Sequence, residues 1–390
     1  MRTTLKGVLI GAVLLVSAGQ AFAYPPDNAA VLYYKTFMLL MKEPNDAEEN
    51  MLRQFSKDDT RINEQVRLYL EGNRKVIKEI ITAAEIKNCD WGLDLSEGFS
   101  TPLPPLAKCR HAAYLLAADA KVLAEKGDYK TALERCITMH KMGRHVGDDI
   151  IVQGLVGIAI GGLADRRIVE ILPQVSDNSE MLQWLRSRLA DVSGRRPSIR
   201  TAIGNEAIVC GNSIKNKEGL RGIVADVCGI SRDDQDKLDK ILHQQGDNEF
   251  YIRAREYYQS IIARMQIAYG LPFPQAKQAL ENLNKEVENT AKEKSEAVIA
   301  EVLLPAINRV LIIDTRDKTQ FNAVLAGVDI YLIRAKTRKL PDGLPAGLPK
   351  DMFSGKDFLY EKTNAGFTLT GQGKDLDKDI VQKYEFKVAK

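Results

Sequence analysis

The chain carries 390 residues, with 55 lysines and arginines against 52 aspartates and glutamates and a formal charge of +3. A balance this close to neutral argues against nucleic acid or an anionic membrane surface as the main partner, because both are held by a sustained excess of cations. The length allows two or three domains with an ample core.

Met1 to Ala23 joins Arg2 and Lys6 to an apolar run from Gly7 to Val16 and an Ala21-Phe22-Ala23 cleavage site, the pattern of a secretory signal peptide. Removing residues 1–23 leaves a mature charge of +1. The expected product is exported, periplasmic or extracellular, with no membrane span after cleavage. Between Asn28 and Met41, Ala29, Ala30, Leu32, Tyr33 and Phe37 predict an apolar helix. From Ile62 to Ile86, Val66, Leu70, Val76, Ile77 and Ile80 predict one long amphipathic helix with a kink at Gly72-Asn73. The loop from Asn88 to Pro105 sets Trp91 among Asp90, Asp94 and Glu97.

The stretch from Leu106 to Pro173 is the expected core. Ala113, Leu116, Ala117 and Ala120 give one apolar face, Gly127 ends that helix, and Leu133, Cys136, Ile137 and Met142 give a second helix folded back on the first. A third, from Ile150, is apolar nearly all round but too short for the ~20 residues a bilayer needs, so it reads as a buried central helix. Its Gly154, Gly157, Gly161 and Gly162 are placed to let a neighbouring backbone approach. Glu180 to Val192 adds a short helix, and Gly194-Arg195-Arg196-Pro197 marks a boundary. Residues 24–193 thus form an N-terminal helical domain, and 198–314 a second helical region packed on it. In the latter, helices are expected over Phe250–Tyr269 and Gln275–Glu296, with Ala297–Asp314 kinked at Pro305. Residues 321–390 change character: a helix from Phe321 to Leu340, three prolines, then alternating runs at Phe358-Leu359-Tyr360, Gly366 to Leu369 and Tyr384 to Val388, the pattern of a small antiparallel sheet.

Five cysteines in an oxidising compartment point to disulfides with one thiol left over. Cys89 and Cys109 bracket the loop around Trp91, Cys210 and Cys228 bracket a polar stretch, and Cys136 faces the helical core as the free thiol. Each bridge closes about twenty residues and contributes on the order of 3 kcal/mol in the chain-entropy model. Asp90, Asp94 and Glu97 are candidate acid/base groups, weighed against aspartates that cap turns beside a core-plugging Trp91. His145 and Asp149 share a helical face, whereas His140 and His145 do not. Asp375, Asp377 and Asp379 alternate in a glycine-introduced loop, a spacing that suits a hard cation; on the residues alone, neutralisation by Lys374, Lys378 and Lys383 is preferred.

Three resemblances follow. Ala120 through Gly127-Asp128-Tyr129 to Ala132-Leu133 resembles one tetratricopeptide repeat, with no second copy, so the expected fold is an irregular bundle of αα-hairpins. Asn28-Ala29-Ala30, Cys89-Asp90-Trp91-Gly92-Leu93-Asp94, Gly127-Asp128-Tyr129 and Leu155 to Ala159 resemble a family of exported, mostly helical bacterial proteins without an assigned activity. From Phe321 to Ile380, Leu348-Pro349-Lys350-Asp351-Met352-Phe353-Ser354-Gly355-Lys356, Gly366 to Leu369 and Gly371-x-Gly373-x-Asp375 resemble the C-terminal half of type II secretion major pseudopilins. That likeness implies structural calcium at Asp375, Asp377 and Asp379; the pilin N-terminal helix is missing. No nucleophile elbow, phosphate loop, dinucleotide fingerprint or haem motif occurs. The expectation is an exported helical binding or scaffold protein for a protein or peptide partner. Its alternative is a hydrolase of extracellular polymer that uses the carboxylates near Trp91.

Overall fold

Local chemistry sets several of the helix starts. Asn28, Asn63, Asp128 and Asn178 each offer a side-chain oxygen to a backbone N–H of the turn that follows, satisfying a donor the helix leaves open. The computed structural model describes residues 27–42, 44–57, 63–194, 199–216, 218–220, 232, 236–240 and 248–388. The expected leader, the Arg195-Arg196-Pro197 boundary and Cys228 lie outside the described residues. The fold is mainly α, with one three-stranded antiparallel sheet towards the C-terminus.

Its helices are α1 (Ala29–Leu39), α2 (Asp46–Lys57), α3 (Glu64–Gly72), α4 (Arg74–Glu85), α5 (Leu106–Glu125), α6 (Tyr129–Gly147), α7 (Ile151–Val175), α8 (Ser179–Ser193), α9 (Ile199–Ser213), α10 (Asn248–Ala268), α11 (Phe273–Glu293) and α12 (Val298–Thr337). The strands are β1 (Leu359–Thr363), β2 (Gly366–Asp375) and β3 (Ile380–Lys387). The chain between Ile62 and Ile86 breaks into two helices at Asn73, where the kink was expected. Helix α2 was not expected, because few of its residues are apolar. Asn45 and Glu48 nonetheless cap it reciprocally: Glu48 N–H donates to Asn45 Oδ1 at 2.9 Å and Asn45 N–H to Glu48 Oε2 at 3.0 Å.

The largest departure is α12, a single helix of 40 residues where two were expected. The polar stretch between the expected halves is accommodated inside the helix because its buried hydroxyls find acceptors in the turn behind them. Thr315 and Thr319 donate to the carbonyls of Leu311 and Thr315 at 2.7 and 2.8 Å, and Lys318 pairs with Asp314 at 2.6 Å. Pro305 lies inside the helix without ending it.

Helices α5 and α6 form the expected hairpin, and α6 packs most extensively on α7. Their backbones nearly touch. A Cβ at Gly143 would stand 2.8 Å from the Gly157 carbonyl oxygen, so alanine there would push the two helices apart. Helix α7 is buried along most of its length, as expected of a central helix.

Two apolar cores result, and they do not follow the chain order. The first joins α1–α8 to the C-terminal half of α12 and the sheet, through Phe321, Val328, Tyr331, Phe367 and Phe386. The second gathers α9–α11 with the N-terminal half of α12, through Ile299, Leu303, Ile307 and Leu311. Phe367 and Phe386, neighbours across β2 and β3, stack at 4.9 Å and receive the edge of Tyr331 from α12. Such pairs contribute roughly 0.5–1.5 kcal/mol beyond their buried area. Residues 321–388 therefore complete the N-terminal core, apart from Phe353, which packs into the second against Phe273.

Candidate functional site

The loop around Trp91 spends its polar atoms on its own shape. Asp90 Oδ1 accepts from Gly92 N–H at 2.8 Å, and Asp94 Oδ1 accepts from Ser96 N–H at 3.0 Å. Those Ser96 hydrogen bonds hold the exposed Asp94 carboxyl below its ordinary range. Glu97 is exposed on the 3-10 turn that follows. Trp91 is 5% exposed, stacks on Tyr33 at 5.7 Å, and donates its indole N–H to the His145 carbonyl. Asn28 ties the loop to the start of α1, its side chain bonding Asp90 N–H and carbonyl at 3.0 Å each. The carboxylates thus cap turns, and Trp91 plugs the core.

The acidic loop between β2 and β3 is met by protein cations. Asp375 accepts from Arg316 through two nitrogens and from Gln382 at 2.7 Å. Burial pushes its carboxyl up, and Arg316, together with Gln382 and the Lys378 backbone, holds it below the ordinary range. Asp377 takes Arg316 at 2.8 Å and Arg309 at 2.9 Å, while Asp379 pairs with Lys374 at 2.6 Å. Arg316 and Arg309 come from α12, out of sight of any reading of the loop itself. Among the described residues no group of three or more histidine, cysteine or acidic side chains gathers as a metal ion requires.

Cys89 and Cys109 are brought into one another's field and stand as free thiols; burial pushes Cys109 up to about 12 and raises Cys89 as well. Cys136 is a free, buried thiol, as expected. Cys210 is also a free thiol here, turned inward towards Glu206 Oε1 at 3.5 Å; its expected partner Cys228 falls outside the described residues.

The pairing of His145 with Asp149 does not form. Helix α6 ends at Gly147, which removes the shared face. His145 instead meets the Tyr33 hydroxyl at 3.2 Å and bonds the Ile86 backbone, and Asp149 bonds Gln153 at 3.4 Å. Burial lowers the His145 imidazole to about 4, helped by Arg144, so it is neutral near pH 7.

A cleft opens between the end of α4, α6 and α8. It holds about 160 Å³ and is lined by Ala84, Glu85, Ile86, Lys87, His140, Lys141, Arg144, His145, Arg188, Asp191 and Val192. The rim is charged and exposed and the floor is buried: Lys87, Arg188, Glu85 and Asp191 are exposed, whereas His140 and His145 are buried. Lys141 reaches across to Glu85 at 2.6 Å, and Arg144 lies 3.6 Å from Asp148. Beneath the floor, His140 Nε2 lies 3.0 Å from Asp165 Oδ1 of α7, with the edge of Phe321 against the imidazole. The approach is off the hydrogen-bond line, and neither Asp165 oxygen completes a hydrogen bond among the described residues. The imidazole is the basic group beside this buried acid.

The expected candidates do not include this cleft, since its groups come from three elements and Asp165 from a fourth. One signal was present: Lys141, Arg144 and His145 stand at spacings of three and four on α6, one polar stripe on a helix otherwise given to core. In comparisons with known proteins, the chain matches no family model, no curated protein and no solved structure.

Proposed function

We propose that this is an exported helical binding protein and that the cleft between α4, α6 and α8 is where a partner docks an anionic group. The observation that carries this reading is the convergence of Lys87, Lys141, Arg144 and Arg188 on one concave site floored by buried imidazoles. Low-dielectric walls concentrate the field of such cations and draw in an anion. A protein or peptide with an acidic side chain or terminus is the expected partner.

The hydrolase alternative has less support. Asp90 and Asp94 are occupied as turn caps, and a carboxyl held below its ordinary range, as Asp94 is, makes a poor general acid. The test is a comparison of native protein with an Arg144→Glu, Arg188→Glu variant in affinity capture from the exported fraction, with circular dichroism as the folding control. Loss of one defined partner on charge reversal supports the reading. Identical partners on both baits overturn it.

A further inference from the structure

We propose that the group accepted by the cleft is a phosphate dianion, either inorganic phosphate or the end of a phosphate monoester; this rests on the binding reading above and names its ligand chemistry. The first support is charge. Four cations line the cleft against Glu85, Asp191 and, on Arg144, Asp148, which leaves an excess of one positive charge and favours an anion. A phosphate monoester brings more charge than one carboxylate and three strong acceptor oxygens to those cations.

The second support is arrangement. The cations are delivered from three directions: Lys87 from the segment after α4, Lys141 and Arg144 from α6, Arg188 from α8. A tetrahedral anion with three acceptor oxygens can meet donors on several sides at once, and arginine's fork suits it better than a point charge does. A planar carboxylate presents one edge. Two of the cations are already held in place by acids, Lys141 by Glu85 and Arg144 by Asp148, so their ordering cost is met before a ligand arrives.

Size and depth give the third support. At about 160 Å³ the cleft has room for a small anion such as phosphate. Its floor carries His140, which is 7% exposed, and Ala84, Ile86 and Val192 supply apolar walls that strengthen a charge contact.

The experiment is calorimetric titration of the full mature chain at low ionic strength with four probes: inorganic phosphate, glycerol 3-phosphate, acetate and a short peptide ending in glutamate. Both phosphates are expected to bind saturably and at least tenfold more tightly than acetate or the peptide. Binding should weaken at least tenfold in a Lys87→Gln, Arg188→Gln variant, whose replaced side chains are exposed and leave the core intact. Arg264→Gln, which breaks a surface pair with Glu286 on other helices, should leave it unchanged. Equal affinity for the two phosphates supports a site for the free ion, and tighter binding of the ester supports a site for a phosphate monoester. If the peptide binds through Lys87 and Arg188 while neither phosphate does, the phosphate proposal is overturned and the binding reading stands. If no probe binds, both fall.

Discussion

In the first core Asp119 is 1% exposed between Arg135 at 2.7 Å and Arg74 at 3.4 Å, and Asp165 faces His140 at 3.0 Å. In the second core Glu206 lies against the Cys210 thiol and the Ile151 backbone, near Tyr258, with no cation against it among the described residues. Burial raises the Glu206 carboxyl. The first core sets basic groups beside its acids; the second leaves its acid without one, and burial raises the carboxyl. The first should therefore be sensitive to loss of a partner, the second to rising pH.

The strongest way to break this contrast is Arg135→Leu, which leaves Asp119 buried with only the half-exposed Arg74. We expect a loss of about 3 kcal/mol in denaturant unfolding, the scale for stranding a buried charge. A loss under about 1 kcal/mol would show that Arg74 alone suffices.

Next comes His145. Its imidazole is lowered to about 4, so between there and its ordinary value of 6.5 the unfolded chain binds the extra proton. The contribution of the buried neutral ring is therefore complete above pH 6.5 and fades as pH falls towards 4. The full effect is on the order of 3 kcal/mol. His145→Gln should flatten the rise of stability with pH across that window, read from urea midpoints at a series of pH values.

Glu206 should behave with the opposite sign. Its raised carboxyl means that the folded chain binds the proton more tightly than the unfolded one, so its contribution is present in acid and fades as pH climbs above the ordinary carboxylate range. Glu206→Gln should gain stability relative to the native chain at pH 8 and little at pH 4. A variant equally affected at both would place a charge on Glu206 and close the gap between the cores.

The smallest expected effect concerns calcium. With Arg316 and Arg309 on Asp375 and Asp377, exchanging calcium for chelator should move the melting point of the native chain by under about 1 °C. Arg316→Ala should make that melting point calcium-dependent. A shift of several degrees in the native chain would restore calcium as the loop's own partner.

What could be read from the sequence was whatever depends on neighbours along the chain. The α5–α6 hairpin, the buried α7 and the small sheet follow from spacing, and the glycine-lined approach of α6 and α7 follows from glycines placed where a helix gains nothing from them. Asp90 and Asp94 as turn caps are equally local. What escaped depends on which distant side chain arrives. Arg316 reaches Asp375 from 59 residues away, and Asp165 reaches His140 from a different helix. Helix α12 escaped for another reason: its polar middle resembles a junction until Thr315 and Thr319 are seen bonding to the turn behind them.

That helix has a mechanical meaning. As a rod of 40 residues at ~1.5 Å each it runs about 60 Å, and each of its ends is anchored in a different interior. Loosening either interior must unload the shared strut, so amide hydrogen exchange along it should slow or quicken in concert. A cut near its midpoint would leave the second interior almost whole and strip from the first the wall that residues 321–388 supply.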